Sequence, residues 1–244
     1  MLQVAKNDII KQLKQEILAL QGLKGMGACQ SLGKDIAVIE KAFPGQVFPT
    51  GVVHEFISPI ASAAAATNGF ITALLGRFMT QGKPCVWISA KRTLFPPALK
   101  VFGIDPECII FIDLSRQKDI LWAIEEALKC EAVAAVVGEL KELSFTESRR
   151  LQLAVEKSHV TGFIHRHQPR SEHAVACVTR WKITPLPSVL EAGMPGIGYP
   201  KWDVRLVKVR NGKPGSWEIE WSAGNFQYAT QQIPVPPVQT LKAG

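Results

Sequence analysis

The chain has 244 residues, of which 47% are hydrophobic, and a formal net charge of +7. This length suits one large α/β domain with short additions at its ends, and the apolar content is ample for a packed core. No uninterrupted apolar segment approaches the roughly 18–20 residues needed to cross a bilayer, and the charged N-terminus MLQVAKNDIIKQLKQEI lacks a signal-peptide apolar core, so a soluble cytoplasmic protein is expected.

Five cysteines (Cys29, Cys85, Cys108, Cys130 and Cys177) form an odd set without C-x-x-C or a histidine at ligand spacing. They read as small buried hydrophobes, and neither a structural zinc nor any other metal or cofactor is expected. The positive charge is uneven: from Arg149 to Lys213 twelve Lys/Arg face four acids, so this segment carries the whole excess. Such asymmetry suits an acidic partner, either nucleic acid or an acidic protein surface, or else a solvated basic face.

In chain order, Ile9, Leu13, Ile17 and Leu20 recur at helical spacing in an amphipathic segment over 4–21, which either packs back on the body or reaches to another chain. A glycine-rich connector follows, then a helix or turn near Ile36–Ala42, and Phe-Pro-Gly clusters punctuate the entry to a first strand around Val52–Ile57. Ser58 can cap the next helix with Pro59 in its first turn, although Thr67 is a rival start. That helix stops at Gly82. CVWISA (85–90) reads as a buried parallel strand. PPALKVFG is a short helix with proline and glycine as its start and stop signals. Then alternate a buried-type strand over 108–114, a helix over 119–130, a strand over 132–140, a helix over 146–158 and a strand over 160–167. This alternation predicts a parallel sheet covered on both faces. VACVTRWKITPL and WDVRLVKVRN switch to period two, and Asn211-Gly212-Lys213-Pro214-Gly215 before SWEIEW signals a hairpin, so an antiparallel edge is expected. Residues from 224 onward, with IPVPPV, show no period and read as a flexible tail or a partner-binding peptide. The expected organisation is an N-terminal helix and connector (1–45), an α/β domain (46–222) and a tail (223–244).

The strand–turn–helix junction after Val52 is of the kind that holds phosphate, since helix N-terminal amides and the helix dipole favour an anion. The phosphate loop needs G-x-x-x-x-G-K-[ST]. Here the corresponding stretch reads Ala63-Ala64-Ala65, without charge, metal-binding hydroxyl or glycine freedom. His159, His165, His167 and His173 cluster in sequence; His165 and His167 share a strand face by period two, and no carboxylate pair accompanies them, so they read as a polar sheet end. Arg166, Arg170, Arg180, Lys182, Lys208 and Arg210 are the candidates for DNA contact, with Trp181 available for stacking on a base or serving as a core residue.

This order of elements resembles the core of RecA-type recombinases: a mainly parallel sheet with helices on both faces and an antiparallel C-terminal hairpin at its edge. HEFISPIAS is similar to the recombinase strand and loop opening, with Pro59 and Ser62 matching before Gly-Lys-Thr gives way to Ala63-Ala64-Ala65. Lys91 stands where that family carries its catalytic glutamate, and Gly138 where it carries the magnesium-linked aspartate, with Glu139 one step on. The resemblance implies that no ATPase activity survives; an unconventional one would draw on Lys91, Arg92, Lys83 and Glu139. LFPPALKVFGID, ILWAIEEALKCEAVAAVV, RRLQLAVEKSHVTGFIHR and WDVRLVKVRNGKPGSWEIEW together resemble the ImuA family of RecA-related accessory proteins. That resemblance implies a non-catalytic adaptor in damage-induced (SOS) error-prone translesion synthesis. The implied partners are an ImuB-like Y-family polymerase homologue and an error-prone DNA polymerase III alpha-type subunit, with RecA and single-stranded DNA as further possibilities. The alternative is a SulA-like stress-induced inhibitor of cell division, which resembles the same core.

Overall fold

A computed structural model describes residues 32–79, 82–188 and 198–228. The amphipathic segment expected over 4–21 and the IPVPPV stretch lie outside these residues. Nine strands form one sheet in the order β3-β2-β4-β5-β1-β6-β7-β8-β9. They are β1 Val53–Ser58, β2 Cys85–Ser89, β3 Ile109–Asp113, β4 Ala135–Leu140, β5 Thr161–His167, β6 Thr179–Leu186, β7 Lys201–Val209, β8 Gly215–Ser222 and β9 Asn225–Tyr228. Strands β1 to β6 pair in parallel, and β6 to β9 pair antiparallel. The helices are α1 Ala37–Glu40, α2 Ala61–Phe78, α3 Gln117–Leu128 and α4 Phe145–Ser158.

Side chains alternate across a strand, so each strand feeds two cores. Phe56, Trp87, Val137, Phe163 and Trp181 point into the core beneath α2. Val53, Ile88, Val136 and Ile164 point into the core beneath α3 and α4. The α2 core is built from aromatic rings: Trp181 is fully buried and stacks on Phe56 at 6.0 Å and 10°. Period two continues in β7, where Trp202, Val204 and Leu206 are buried and join the same core. Trp181 is thereby a core residue and is not available to stack on a base.

Several expectations are corrected. The strand over 108–114 is not buried on both sides: among the described residues β3 is the sheet edge, and Ile110 is 48% exposed. The short helix expected at PPALKVFG is present, as a 3-10 helix over Pro96–Phe102 closed by Gly103 in the left-handed region with φ 74°, a conformation that costs glycine little. The sheet also runs past residue 222. In β9, Phe226 is 2% exposed and packs against Trp221 at 5.0 Å. Cys85 and Cys177 are buried as expected, but Cys108 and Cys130 are exposed. Burial pushes the Cys85 thiol up to about 12.

Candidate functional site

Parallel strands direct their C-terminal ends to one edge, where α/β folds place their sites. Here Ser58 of β1, Glu139 of β4, and His165 and His167 of β5 lie on the face covered by α2. Register fixes this: Glu139 is paired with His165, and Ser58 with His167. Helix α2 begins at Ala61, and its N-cap is Ile60, in extended conformation without a side-chain cap. The expected cap is therefore not made. Ser58 is the last residue of β1, fully buried, and its hydroxyl turns inward. Pro59 and Ser62 are exposed, as are Ala61 and Ala65, whereas Ala63 is buried. Lys91 is exposed beyond the end of β2, and neighbouring Arg92 pairs with Asp113 at 2.7 Å.

Beneath α2 the polar atoms satisfy one another. Ser58 Oγ lies 2.8 Å from Thr67 Oγ1 and 2.8 Å from His165 Nε2. His165 Nδ1 lies 2.7 Å from Asn68 Oδ1, whose amide nitrogen donates to Glu139 Oε1 at 3.4 Å. The Asn68 oxygen can only accept, so Nδ1 carries the ring proton and Nε2 accepts from Ser58. Burial and the adjoining His167 hold His165 well below the ordinary imidazole range, which keeps the ring neutral. Trp87 Nε1 donates to the same Glu139 Oε1 at 2.9 Å. The other carboxylate oxygen, Oε2, lies 3.2 Å from His167 Nε2, without hydrogen-bond alignment. The two imidazole centroids lie 3.9 Å apart, with the rings tilted by 37°.

Gly138 and Glu139 face opposite sides of the sheet, as strand alternation requires. Gly138 points toward α3, where an added Cβ would meet Ile124 Cγ1 at 2.6 Å, while Glu139 points toward α2. One carboxylate, Glu139, is therefore present beside His165 and His167 at this strand end. Sequence spacing could not find it, because β4 and β5 are joined only by tertiary pairing.

The other face of β1 holds a second cluster, which takes up Arg166 and Arg180 of the six cations expected to contact DNA. Arg166 and Glu55 are both fully buried and pair at 2.8 Å; Arg180 Nε pairs with the other Glu55 oxygen at 2.6 Å. Arg166 also pairs with Glu142 at 3.4 Å, and both arginines donate to main-chain carbonyls of the segment after β5. Arg166 donates to Ser171 O at 2.9 Å, and Arg180 to Glu172 O at 2.8 Å and His173 O at 2.6 Å. Lys208 donates to Val175 O at 3.0 Å and Arg210 to Ala176 O at 3.1 Å. Lys182 pairs with Glu172 at 2.7 Å. Arg170 is exposed, and its backbone N–H meets Glu142 at 2.8 Å, the leading reason the Glu142 carboxyl is lowered. Arg166 and Arg180 are structural, since a guanidinium desolvated beside its carboxylate is not available to phosphate. The sequence shows many cations here; it does not show that their partners are carbonyls of the neighbouring loop together with Glu142, Glu172 and a glutamate 111 residues away from Arg166.

No protein-family model matches the chain. The solved RadB recombinase shares the fold, with a TM-score of 0.56 over 82% of this chain and 99% of that one, at 18% identity. The architecture is accordingly RecA-like, with a mostly parallel sheet and antiparallel strands at its C-terminal end. Proteins named ImuA from two strains of Caulobacter vibrioides are each 33% identical to the chain over 194 residues, covering 75% of this chain and 80% of each relative. On that similarity, spread over most of both sequences, the chain belongs to the ImuA family.

Proposed function

We propose that this protein is a non-catalytic RecA-like adaptor of damage-induced error-prone translesion synthesis, recruiting an ImuB-type protein and an error-prone polymerase III alpha-type subunit. The observation that carries the reading is the state of the strand ends beneath α2. Where phosphoryl transfer would need a phosphate clamp, a metal-bound phosphate and an activated water, Ser58, Thr67, Asn68, Trp87, Glu139 and His165 are hydrogen-bonded to one another. The helix turn beside them presents Ala63, Ala64 and Ala65. A scaffold of this kind still offers sheet edges and exposed apolar residues for partners. Direct DNA contact, if it accompanies this role, falls to exposed cations such as Arg170 and not to Arg166 or Arg180.

The test is affinity purification of the tagged protein from its own cells after DNA damage, with bound proteins identified by mass spectrometry. A Y-family-like protein co-purifying after damage is the expected result. Recovery of a tubulin-like division protein, with no polymerase-like partner, would replace the adaptor reading with the division-inhibitor one.

A further inference from the structure

We propose that Glu139, His165 and His167 form a binding site for a first-row divalent cation of the zinc class, set at the strand ends beside α2. Each residue offers one ligand atom, and the three atoms lie within 4.8 Å of one another. Two imidazole nitrogens and one carboxylate oxygen suit zinc and its neighbours better than magnesium or calcium, which prefer oxygen throughout. Three protein ligands with one further position is a common zinc arrangement.

The surroundings are arranged as an outer shell. Asn68 fixes the His165 proton on Nδ1 and so presents the Nε2 lone pair, as a hydrogen bond to the distal ring nitrogen does for metal-bound histidines. Both donors to Glu139, from Trp87 and Asn68, land on Oε1. Oε2 is left opposite the buried His167 Nε2, which has no aligned hydrogen bond. His167 Nε2 and Glu139 Oε2 lie 3.2 Å apart without an aligned hydrogen bond, and a cation placed between them would engage both and His165 as well. Its arrival replaces the hydrogen bond that Ser58 makes to His165; Ser58 keeps Thr67 as a partner and can supply the fourth position. The His167 side chain is 29% exposed, which provides the way in.

The proposal does not depend on the adaptor reading, since a bound cation says nothing of partners. Untagged full-length protein, stripped with chelator, is titrated with Zn²⁺ by calorimetry and with Co²⁺ by visible absorption. One equivalent should bind, with the d–d bands of a tetrahedral nitrogen–oxygen site and no thiolate charge-transfer band. His167→Ala, at the partly exposed rim, and Glu139→Gln should each weaken Zn²⁺ by about tenfold or more, while His159→Asn, at an exposed helix end, should leave it unchanged. Absence of saturable binding would overturn the proposal, as would binding insensitive to both variants. A thiolate band in the wild-type Co²⁺ spectrum would assign the metal to a cysteine such as exposed Cys108 or Cys130, and this reading does not require any variant to fold.

Discussion

Arg180 shows how differently one residue reads in sequence and in space. It sits in a basic segment, yet it is 9% exposed, and its guanidinium joins Glu55 to two carbonyls of the segment after β5. Removing one member of a buried ionic cluster leaves a charge without compensation, which costs about 3–5 kcal/mol. Arg180→Ala should therefore lower the urea midpoint by that order and expose residues 171–173 to protease. Unchanged stability with weakened, less salt-dependent binding of single-stranded DNA would instead restore Arg180 to a nucleic-acid face.

His54 gives the residue scale its pH dependence. The buried ring has Nε2 2.9 Å from Pro49 O and Nδ1 2.7 Å from Thr179 Oγ1, so the neutral ring with its proton on Nε2 is satisfied at both nitrogens, Thr179 donating to Nδ1. Burial lowers it to about 4 from 6.5. Between those values the unfolded chain binds the proton and the folded chain does not, so stability is full above about pH 6.5 and falls as pH drops toward 4. At about 1.4 kcal/mol per pH unit the loss is on the order of 3 kcal/mol. Urea midpoints at pH 7.5 and pH 5 check it: a clear fall is expected at pH 5, with a shallower fall in His54→Gln. Equal midpoints at the two pH values would contradict the assignment.

At the scale of elements, packing explains why adjacent residues of β4 have opposite fates. Gly138 lies under α3, and a methyl group there would press on Ile124. Overpacking of this kind costs typically about 1–3 kcal/mol. Gly138→Ala is thus expected to lower the thermal midpoint without disturbing the polar cluster under α2, which the indole proton of Trp87 can report by NMR; loss of that signal's position would show that the two faces are coupled. Much of this level was legible in the sequence, because apolar runs and their stop signals are local. The start of α4 was legible too: Ser144 and Glu147 form a reciprocal capping box that Ser-x-x-Glu announces, although the helix was expected one residue later. Partner-dependent features were not legible. CIIFIDL has the composition of a central strand but lies at an edge, because strand order is a property of the whole sheet. Strand β9 is four residues long, too short for period two to show.

For the whole molecule, the six-strand parallel body and its antiparallel extension share one aromatic core under α2, from Phe163 through Trp181 to Trp202 and Phe226. The candidate site was half legible: the alanines at the start of α2 are plain in the sequence, whereas the joining of Glu139 to His165 requires the β4–β5 register. The frame is RecA-like, and at its strand ends Ser58, Thr67, Asn68, Trp87, Glu139 and His165 are hydrogen-bonded to one another, the observation on which the adaptor proposal rests. The protein should therefore have no productive nucleotide site. Calorimetric titration of the full-length protein with magnesium-ATP tests this most directly. No saturable binding in the micromolar range is expected; micromolar affinity, abolished by substitution at the start of α2, would contradict the non-catalytic adaptor.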